Sequence, residues 1–426
     1  MMVMIPSLLL AFLVSLSAAQ GAVEQVFITG TGIEGEMSIS WVTSTNAESS
    51  ENVAYGIASS PLSLTATATS NVLSNLMDIP IRIHVAHMTN LQNNTKYEYQ
   101  LGDDSATTFS FTNAPARAGG KVYAIYGDLG LKDDYSLSSL LAEAEADAFD
   151  AVLACGDFAY NLEDEGGVVG NDFMNGMSPI ISKVPMFVVA GNHETLADDS
   201  FGHYIARFAA ANSLGENSGN SGADANRWYS YDDGLVHWVQ IDTEIYSYGT
   251  QKQIDAQKAW LSDDLAKVDR SKTPWVLSMG HKGYWESPKT NWDSLGIDQA
   301  FADNNVDMYF TGHTHNYQRT GAFRNEAASD DNCLTSNVYL NCKGTIGILA
   351  GSPGMDQGLG TRNAPADILQ IALQAWGYGH LTVCNATTLH WEWFEVGVKD
   401  QITNVSSAIK WGISNVKDEA WIVRSV

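Results

Sequence analysis

The stretch KVYAIYGD, Lys121–Asp128, is an apolar run of strand length that stops at a glycine and an aspartate. Five later stretches share its texture: DAVLACGD (150–157), PMFVVAGN (185–192), LVHWVQID (235–242), PWVLSMGH (274–281) and VDMYFTGH (306–313). All are rich in β-branched and aromatic residues, which reads as buried strand. Helical patterns lie between several of them, notably SLSSLLAEAEADAF (136–149) and QKQIDAQKAWLSDDLAKV (251–268). Strands alternating with helices predict an α/β domain whose strands are covered on both faces. In such sheets ligands bind beyond the carboxyl ends of the strands. Asp128, Asp157, Asn192, His281 and His313 all fall there, delivered by five separate segments.

Upstream the texture is different. MSISWVTS (37–44), NVAYG (52–56), IRIHVAHMTNL (81–91), TKYEYQLG (95–102) and TTFSFTN (107–113) are short alternating runs separated by polar or glycine-containing turns. They predict a small all-β sandwich over 20–116. NAPARAGGK (113–121) reads as a linker, and the α/β domain is expected to occupy 117–426. SLGENSGNSGADAN (213–226) reads as a surface insertion, and the glycine-rich GILAGSPGMDQGLG (347–360) as a loop near the closing strands.

The first residues, MMVMIPSLLLAFLVSLSAAQG, form an uncharged apolar run ending in small residues, which reads as a signal peptide over 1–19. Secretion to the exterior, or delivery to a vacuole or lysosome, is the expected consequence. An oxidising route permits disulfides. Cys333 and Cys342 flank a short polar segment, CLTSNVYLNC, and are the expected pair, while Cys155 and Cys384 are expected as buried thiols. Asn93, Asn385 and Asn404 each open a glycosylation sequon.

The chain has 426 residues and a formal charge of −26. That acidity argues against nucleic acid and against an anionic membrane surface as partners. An anionic small molecule would need a local positive centre, which bound cations supply.

Taken singly, each polar block has a bland reading: GDLG (127–130) a turn, GDFAY (156–160) another, and GNHE (191–194) a helix cap with Asn192 satisfying amides. His281 alone could be a core histidine and GHTH (312–315) a solvated loop. Together they supply two aspartates, an asparagine, three histidines and a tyrosine. This mixed oxygen and imidazole set suits Fe, Mn or Zn better than Ca. His84, His87, His203, His237, His380 and His390 have no comparable setting. HETLA lacks the second histidine of a zincin, no G-x-S-x-G is present, and the glycine-rich stretch lacks the Lys-Ser/Thr of a P-loop.

The ordered set D-x-G, G-D-x-x-Y, G-N-H-E, a histidine after a buried strand and G-H-x-H resembles the purple acid phosphatases, which are binuclear metallophosphoesterases. MSISWVTS…VAYG is similar to that family's fibronectin-like domain, and GYGHLTVCNATTLHWEWFEV (377–396) to its closing strands. The resemblance implies a fibronectin III-like sandwich followed by a metallophosphoesterase domain of two mixed sheets flanked by helices. It implies hydrolysis of phosphate monoesters, with small phosphorylated substrates and an acidic optimum. Asp128, Tyr160 and His315 would join a bridging Asp157 around Fe(III), with a metal-bound hydroxide as nucleophile. Asn192, His281 and His313 would hold a divalent Zn, Fe or Mn. His193 is the candidate to contact phosphate or the leaving group, with a supporting hydrogen bond in the ligand loop as its alternative. Plant relatives carry further histidines shortly after the metal-binding one. HKGYWESPKTNWDS (281–294) has none, which leaves Lys282, Tyr284 or Trp285 to line the pocket. The competing readings are a phosphodiesterase or pyrophosphatase on the same scaffold, and a secreted binding protein with a vestigial site. In an extended chain His313 and His315 would point to one side and Thr314 away.

Overall fold

The protein is described by a computed structural model that covers residues 22–45, 51–74, 77–78, 80–131, 135–195, 200–219, 226–283, 296–324, 327–329, 332–355, 357–361, 363–397 and 415–425. The leader expected at 1–19, Tyr284, Trp285 and Asn404 lie outside the described residues. Among the described residues, no helix is long and apolar enough to cross a membrane.

Alternation of buried and exposed residues in Ile81–Met88 and Thr95–Leu101 is what a strand with one core face requires. The first such strands form two four-stranded antiparallel sheets. One runs Glu24–Gly30, Met37–Ser44, Ile81–Met88, Thr69–Leu73, and the other Leu64–Thr67, Asn52–Ile57, Thr95–Leu101, Phe109–Asn113. Their inner faces meet over Ile39, Trp41, Val53, Tyr97, Tyr99 and Phe111, all buried. Glu24–Gly30, Leu64–Thr67 and Thr69–Leu73 carry weaker alternation, and no motif quoted above contains them.

The remainder is built on β1 (Lys121–Tyr126), β2 (Ala151–Ala154), β3 (Met186–Val188), β4 (Val236–Gln240), β5 (Trp275–Met279), β6 (Met308–Thr311), β7 (Thr345–Ala350) and β8 (Gly377–Asn385). β3, β2 and β1 are parallel neighbours, and β8 joins β1 antiparallel to extend an eight-stranded mixed sheet. β4, β5, β6 and β7 are parallel neighbours in a second eight-stranded mixed sheet, with Tyr317–Arg324 antiparallel to β7.

The two sheets pack face to face through aromatic pairs. Tyr123 meets Trp238 at 5.2 Å between ring centroids, and Phe310 meets Trp391 at 5.6 Å. Helices α1 (Leu137–Glu145) and α2 (Val168–Ile181) cover the first sheet through Leu140, Ala144, Phe173 and Met177. Helix α3 (Gln251–Leu265) covers the second through Trp260, Leu261 and Leu265. Thr250 caps α3, its side chain accepting from Gln253 N at 3.3 Å while Gln253 Oε1 accepts from Thr250 N at 2.8 Å.

Three local readings change. Asn212–Asn217 is helical and buries Leu214, so the insertion begins as structure rather than loop. The glycine-rich stretch begins inside β7, a central strand, because its ILA core is fully buried between neighbours. Cys155 is buried as expected, but Cys384 is only half-buried, near the end of β8. Cys333 and Cys342 form the expected disulfide, with Cα atoms 5.2 Å apart.

The sandwich is tied to α2 and the segment after it. Ser178 Oγ both accepts from Val26 N at 3.1 Å and donates to Val26 O at 3.2 Å, and Tyr99 Oη donates to Ser182 O at 2.6 Å. Arg207 is buried at this junction and donates to Gln25, Asn171 and Gly167 O. Tyr99→Phe leaves the Ser182 carbonyl buried without its donor. The variant should lose about 1–3 kcal/mol of stability, read by thermal unfolding, with its core aromatic packing kept.

Candidate metal centre

Three of the five strand ends turn sharply to aim a side chain inward. Asp128, Asp157, Tyr160 and His313 all have positive φ, at 63°, 51°, 56° and 70°. Non-glycine residues rarely adopt this backbone, and each costs about 1 kcal/mol or more. His313 is therefore in a tight bend, not the extended chain expected, and the i, i+2 argument does not apply to it. Thr314 is tied down too, its Oγ1 accepting from Asn363 Nδ2 at 2.6 Å.

The two aspartates are used in the same way. Asp128 Oδ2 accepts from His313 N at 2.7 Å, and its Oδ1 faces Tyr160 Oη at 3.2 Å and His315 Nε2 at 3.5 Å. Asp157 Oδ1 accepts from His193 N at 2.8 Å, and its Oδ2 lies 3.2 Å from His281 Nε2. One oxygen of each thus pins a neighbouring loop while the other is presented to the cluster. The seven side chains fall into two groups. Tyr160 Oη, 2.9 Å from His315 Nε2, gathers with Asp128. His281 Nε2, 3.2 Å from Asn192 Oδ1, gathers with Asp157 and His313, whose donor atoms all lie within 4.8 Å of one another.

The chemistry of this set fits cations. His281 Nδ1 donates to Cys155 O at 2.7 Å, so in the neutral ring Nε2 carries only a lone pair. That lone pair faces a carboxylate oxygen and an amide oxygen, which also only accept. Without a cation, a proton must sit among them. Burial opposes that charge, but Asp157 overcomes it and pushes His281 up to about 10. The opposite holds for His313, which burial and the nearby His281 charge push down to about 3, leaving a neutral imidazole. Burial and then Asp128 raise the Tyr160 phenol far above its ordinary value, so only a cation would let it ionise. Contacts near 3 Å between donors match cis ligands on an ion with bonds of about 2.0–2.2 Å.

Glu194 is a residue the motif reading missed. It is fully buried, its Oε2 accepts from Asp157 N and Gly191 N at 2.7 Å each, and its Oε1 accepts from Phe158 N at 2.9 Å. Glu194, not Asn192, therefore takes the Gly191 amide together with those of Asp157 and Phe158, which leaves the Asn192 amide to the cluster. Burial and then the Asp157 charge push Glu194 up to about 8. A glutamate three residues after a turn-opening glycine is the sequence signal that could have found it. Lys282 is committed elsewhere: it is nearly buried and its ammonium donates to Glu244 Oε2 at 2.6 Å, so it is not offered free to a substrate. His193 is half-buried, its ring centroid 4.5 Å from that of Tyr160.

Comparison with known proteins decides the family. Residues 121–317 match the calcineurin-like phosphoesterase model, residues 23–113 the purple acid phosphatase N-terminal domain, and residues 344–403 the iron/zinc purple acid phosphatase-like C-terminal model. The chain is 30% identical to purple acid phosphatase 22 of Arabidopsis thaliana over 329 residues, covering 73% of this chain and 68% of that protein. The chain belongs to the purple acid phosphatases. Acid phosphatase type 7 of Mus musculus is 28% identical over 428 residues, 94% of this chain and 91% of that protein. The fold is also that of a purple acid phosphatase from yellow lupin seeds, with a TM-score of 0.74 at 20% identity, over 95% of this chain and 75% of that one. This purple acid phosphatase is accordingly a phosphoester hydrolase of a family that works through a binuclear metal centre.

Two outcomes follow from the geometry. A Cβ at Gly191 would collide with Asp157 Oδ1 and the Asp157 amide. Gly191→Ala should weaken metal retention by about 10- to 100-fold, measured by metal content after dialysis against chelator. In the metal-stripped protein His281 holds its proton until about pH 10, and a metal must displace it. Zinc affinity should therefore fall by about tenfold per unit of pH decrease between pH 8 and 6 from this proton alone, with a matching proton release in calorimetry run in buffers of different ionisation enthalpy.

Proposed function

We propose that the protein hydrolyses phosphate monoesters at an Fe(III)–M(II) pair, M being Zn, Fe or Mn, with an acidic optimum. The observation that carries this reading is the unequal division of the donors. Asp128, Tyr160 and His315 form one group containing a phenol and a carboxylate, hard anionic donors that favour a trivalent ion. Asn192, His281 and His313 form another of neutral donors, with Asp157 beside it, a carboxylate that would be shared between the two ions. Neutral donors leave their ion with surplus positive charge to attract a phosphate.

When bound, the two ions would offset phosphate charge and lower the pKa of water enough to ionise it in acid. The chain's own residues do the remainder. Asp128 and Asp157 hold the loops of His313 and His193 by backbone hydrogen bonds, and Glu194 locks the loops after β2 and β3 together. Asn192 would hold an ion through its amide oxygen, and its neighbour His193 reaches the phosphate or gives a proton to the leaving oxygen. The apolar leader at 1–19 and the Cys333–Cys342 disulfide support a secretory route ending outside the cell or in a vacuole or lysosome. Exposed Asn93 and Asn385 are the proposed glycan acceptors on that route, with Asn404 a third sequon.

Purified protein should carry iron and a visible phenolate-to-iron band, and Tyr160→Phe should abolish that band. A colourless, iron-free but fully active enzyme would remove iron and Tyr160 from the reading. His313→Ala and His315→Ala should each lose a different ion on elemental analysis. His193→Ala should retain both ions and lower kcat by about 10²- to 10⁴-fold on substrates with poor leaving groups.

A further inference from the structure

Immediately after the Tyr160 ligand position the chain makes an uncommon turn. Tyr160 and Asn161 are consecutive residues with positive φ, 56° and 78°, and the turn closes with Asp164 N donating to Asn161 O at 3.1 Å. The result is that the Asn161 side chain lies against His193, with Oδ1 2.9 Å from His193 Nδ1. The other end of the same amide, Nδ2, donates to Asp164 Oδ2 at 3.1 Å.

These contacts fix one another by elimination. A carboxylate only accepts hydrogen bonds, so the Asn161 NH2 must face Asp164 and its oxygen must face the imidazole. An amide oxygen also only accepts, so His193 Nδ1 must carry a hydrogen. Proton exchange is then confined to Nε2. The Tyr160 ring, 4.5 Å from the imidazole between centroids, limits the ring's tilt from the other side.

We propose that Asp164 and Asn161 form a positioning relay that fixes the tautomer and orientation of His193, so that Nε2 alone serves the leaving-group oxygen. This rests on the reading of His193 given above. As water attacks phosphorus and the P–O ester bond breaks, the bonding pair passes to the leaving oxygen, which takes the Nε2 proton. The proton lost by the attacking water returns Nε2 to its starting state, while Nδ1–H stays on Asn161 throughout. Neither Asn161 nor Asp164 touches the substrate. Their effect is confined to the step in which His193 takes part.

Glycine is the informative replacement at 161, because alanine would add left-handed strain to the lost hydrogen bond. In the metal-loaded enzyme, Asn161→Gly should lower kcat for glycerol 2-phosphate by about 10- to 100-fold. KM should move less and metal content should match the wild type. With p-nitrophenyl phosphate, whose leaving group barely needs a proton, the loss should be several-fold smaller. Asp164→Ala should give a weaker loss with the same substrate dependence. In a His193→Ala background, Asn161→Gly should cost nothing further. Equal losses on both substrates, a fall in metal content, or full additivity with His193→Ala would overturn the relay. An Asn161→Gly enzyme of wild-type rate beside a crippled His193→Ala overturns the relay alone. A His193→Ala enzyme of wild-type rate overturns the reading of His193, and the relay with it.

Discussion

Buried carboxylates need positive charge, and this constraint organises the molecule. The chain has 49 acidic residues against 23 lysines and arginines, so cations are scarce. Several of those it has are committed to buried carboxylates. Asp418 receives Arg319 at 2.6 and 2.8 Å, Glu244 receives Lys282 at 2.6 Å, Asp307 receives Arg270 at 2.8 Å, and Asp242 is paired with Arg227. Histidines serve the same end: His237 lies between Asp232 and Asp264, at 2.7 and 3.0 Å, and the two carboxylates outweigh burial to hold it near pKa 9. Asp128, Asp157 and Glu194 are as deeply buried, but what surrounds them is imidazole, phenol and backbone amide. A site assembled from such groups carries a standing demand for cations, which a metal pair meets better than protons do.

That demand explains why the site is expensive to build and why the cost falls where it does. The strained residues Asp128, Asp157, Tyr160 and His313 all follow strands whose last four residues are buried. The parallel strands and their aromatic interface fix the strand ends, and the loops absorb the strain. Close backbone approach completes the arrangement. Gly312 leaves no room for a side chain beside Asp128 Oδ2, and Gly191 none beside Asp157. Gly312 thus lets the second sheet close on the first, and Gly191 lets neighbouring loops of the first sheet close on each other, because the carboxylate oxygens already fill the space.

Much of this was legible in the sequence. Runs such as KVYAIYGD and VDMYFTGH announce both the strand and the residue at its end, because burial on both faces makes the run continuous and the chemistry interrupts it. The segments that converge at the centre were therefore readable as a set, as was the disulfide. What was not readable depends on contacts between segments. Glu194 looks like one acidic residue among many until its three amide donors are seen. Lys282 looks available until Glu244, 38 residues earlier, is found holding it. The weakly alternating strands Leu64–Thr67 and Thr69–Leu73 are defined by their pairing with Asn52–Ile57 and Ile81–Met88 rather than by their own pattern. The strained φ of His313 is likewise a property of the loop's anchoring to Asp128, which no local spacing encodes.

The same distinction separates two kinds of residue at the centre. Ligand positions must present a particular atom, so their type is constrained by chemistry and they stand out in a linear reading. Residues such as Glu194 and Asn161 present nothing to a metal; they constrain which atoms of other residues are presented. Their identity follows from donor and acceptor counting: three amides require a buried acceptor with two oxygens, and a carboxylate facing a histidine across an amide leaves one arrangement of hydrogens. Such residues fix geometry at little cost in extra burial, because each satisfies groups that the loops would otherwise leave unpaired. A centre held in this way can keep its donors converged before any cation arrives, so binding a metal need not also order the site.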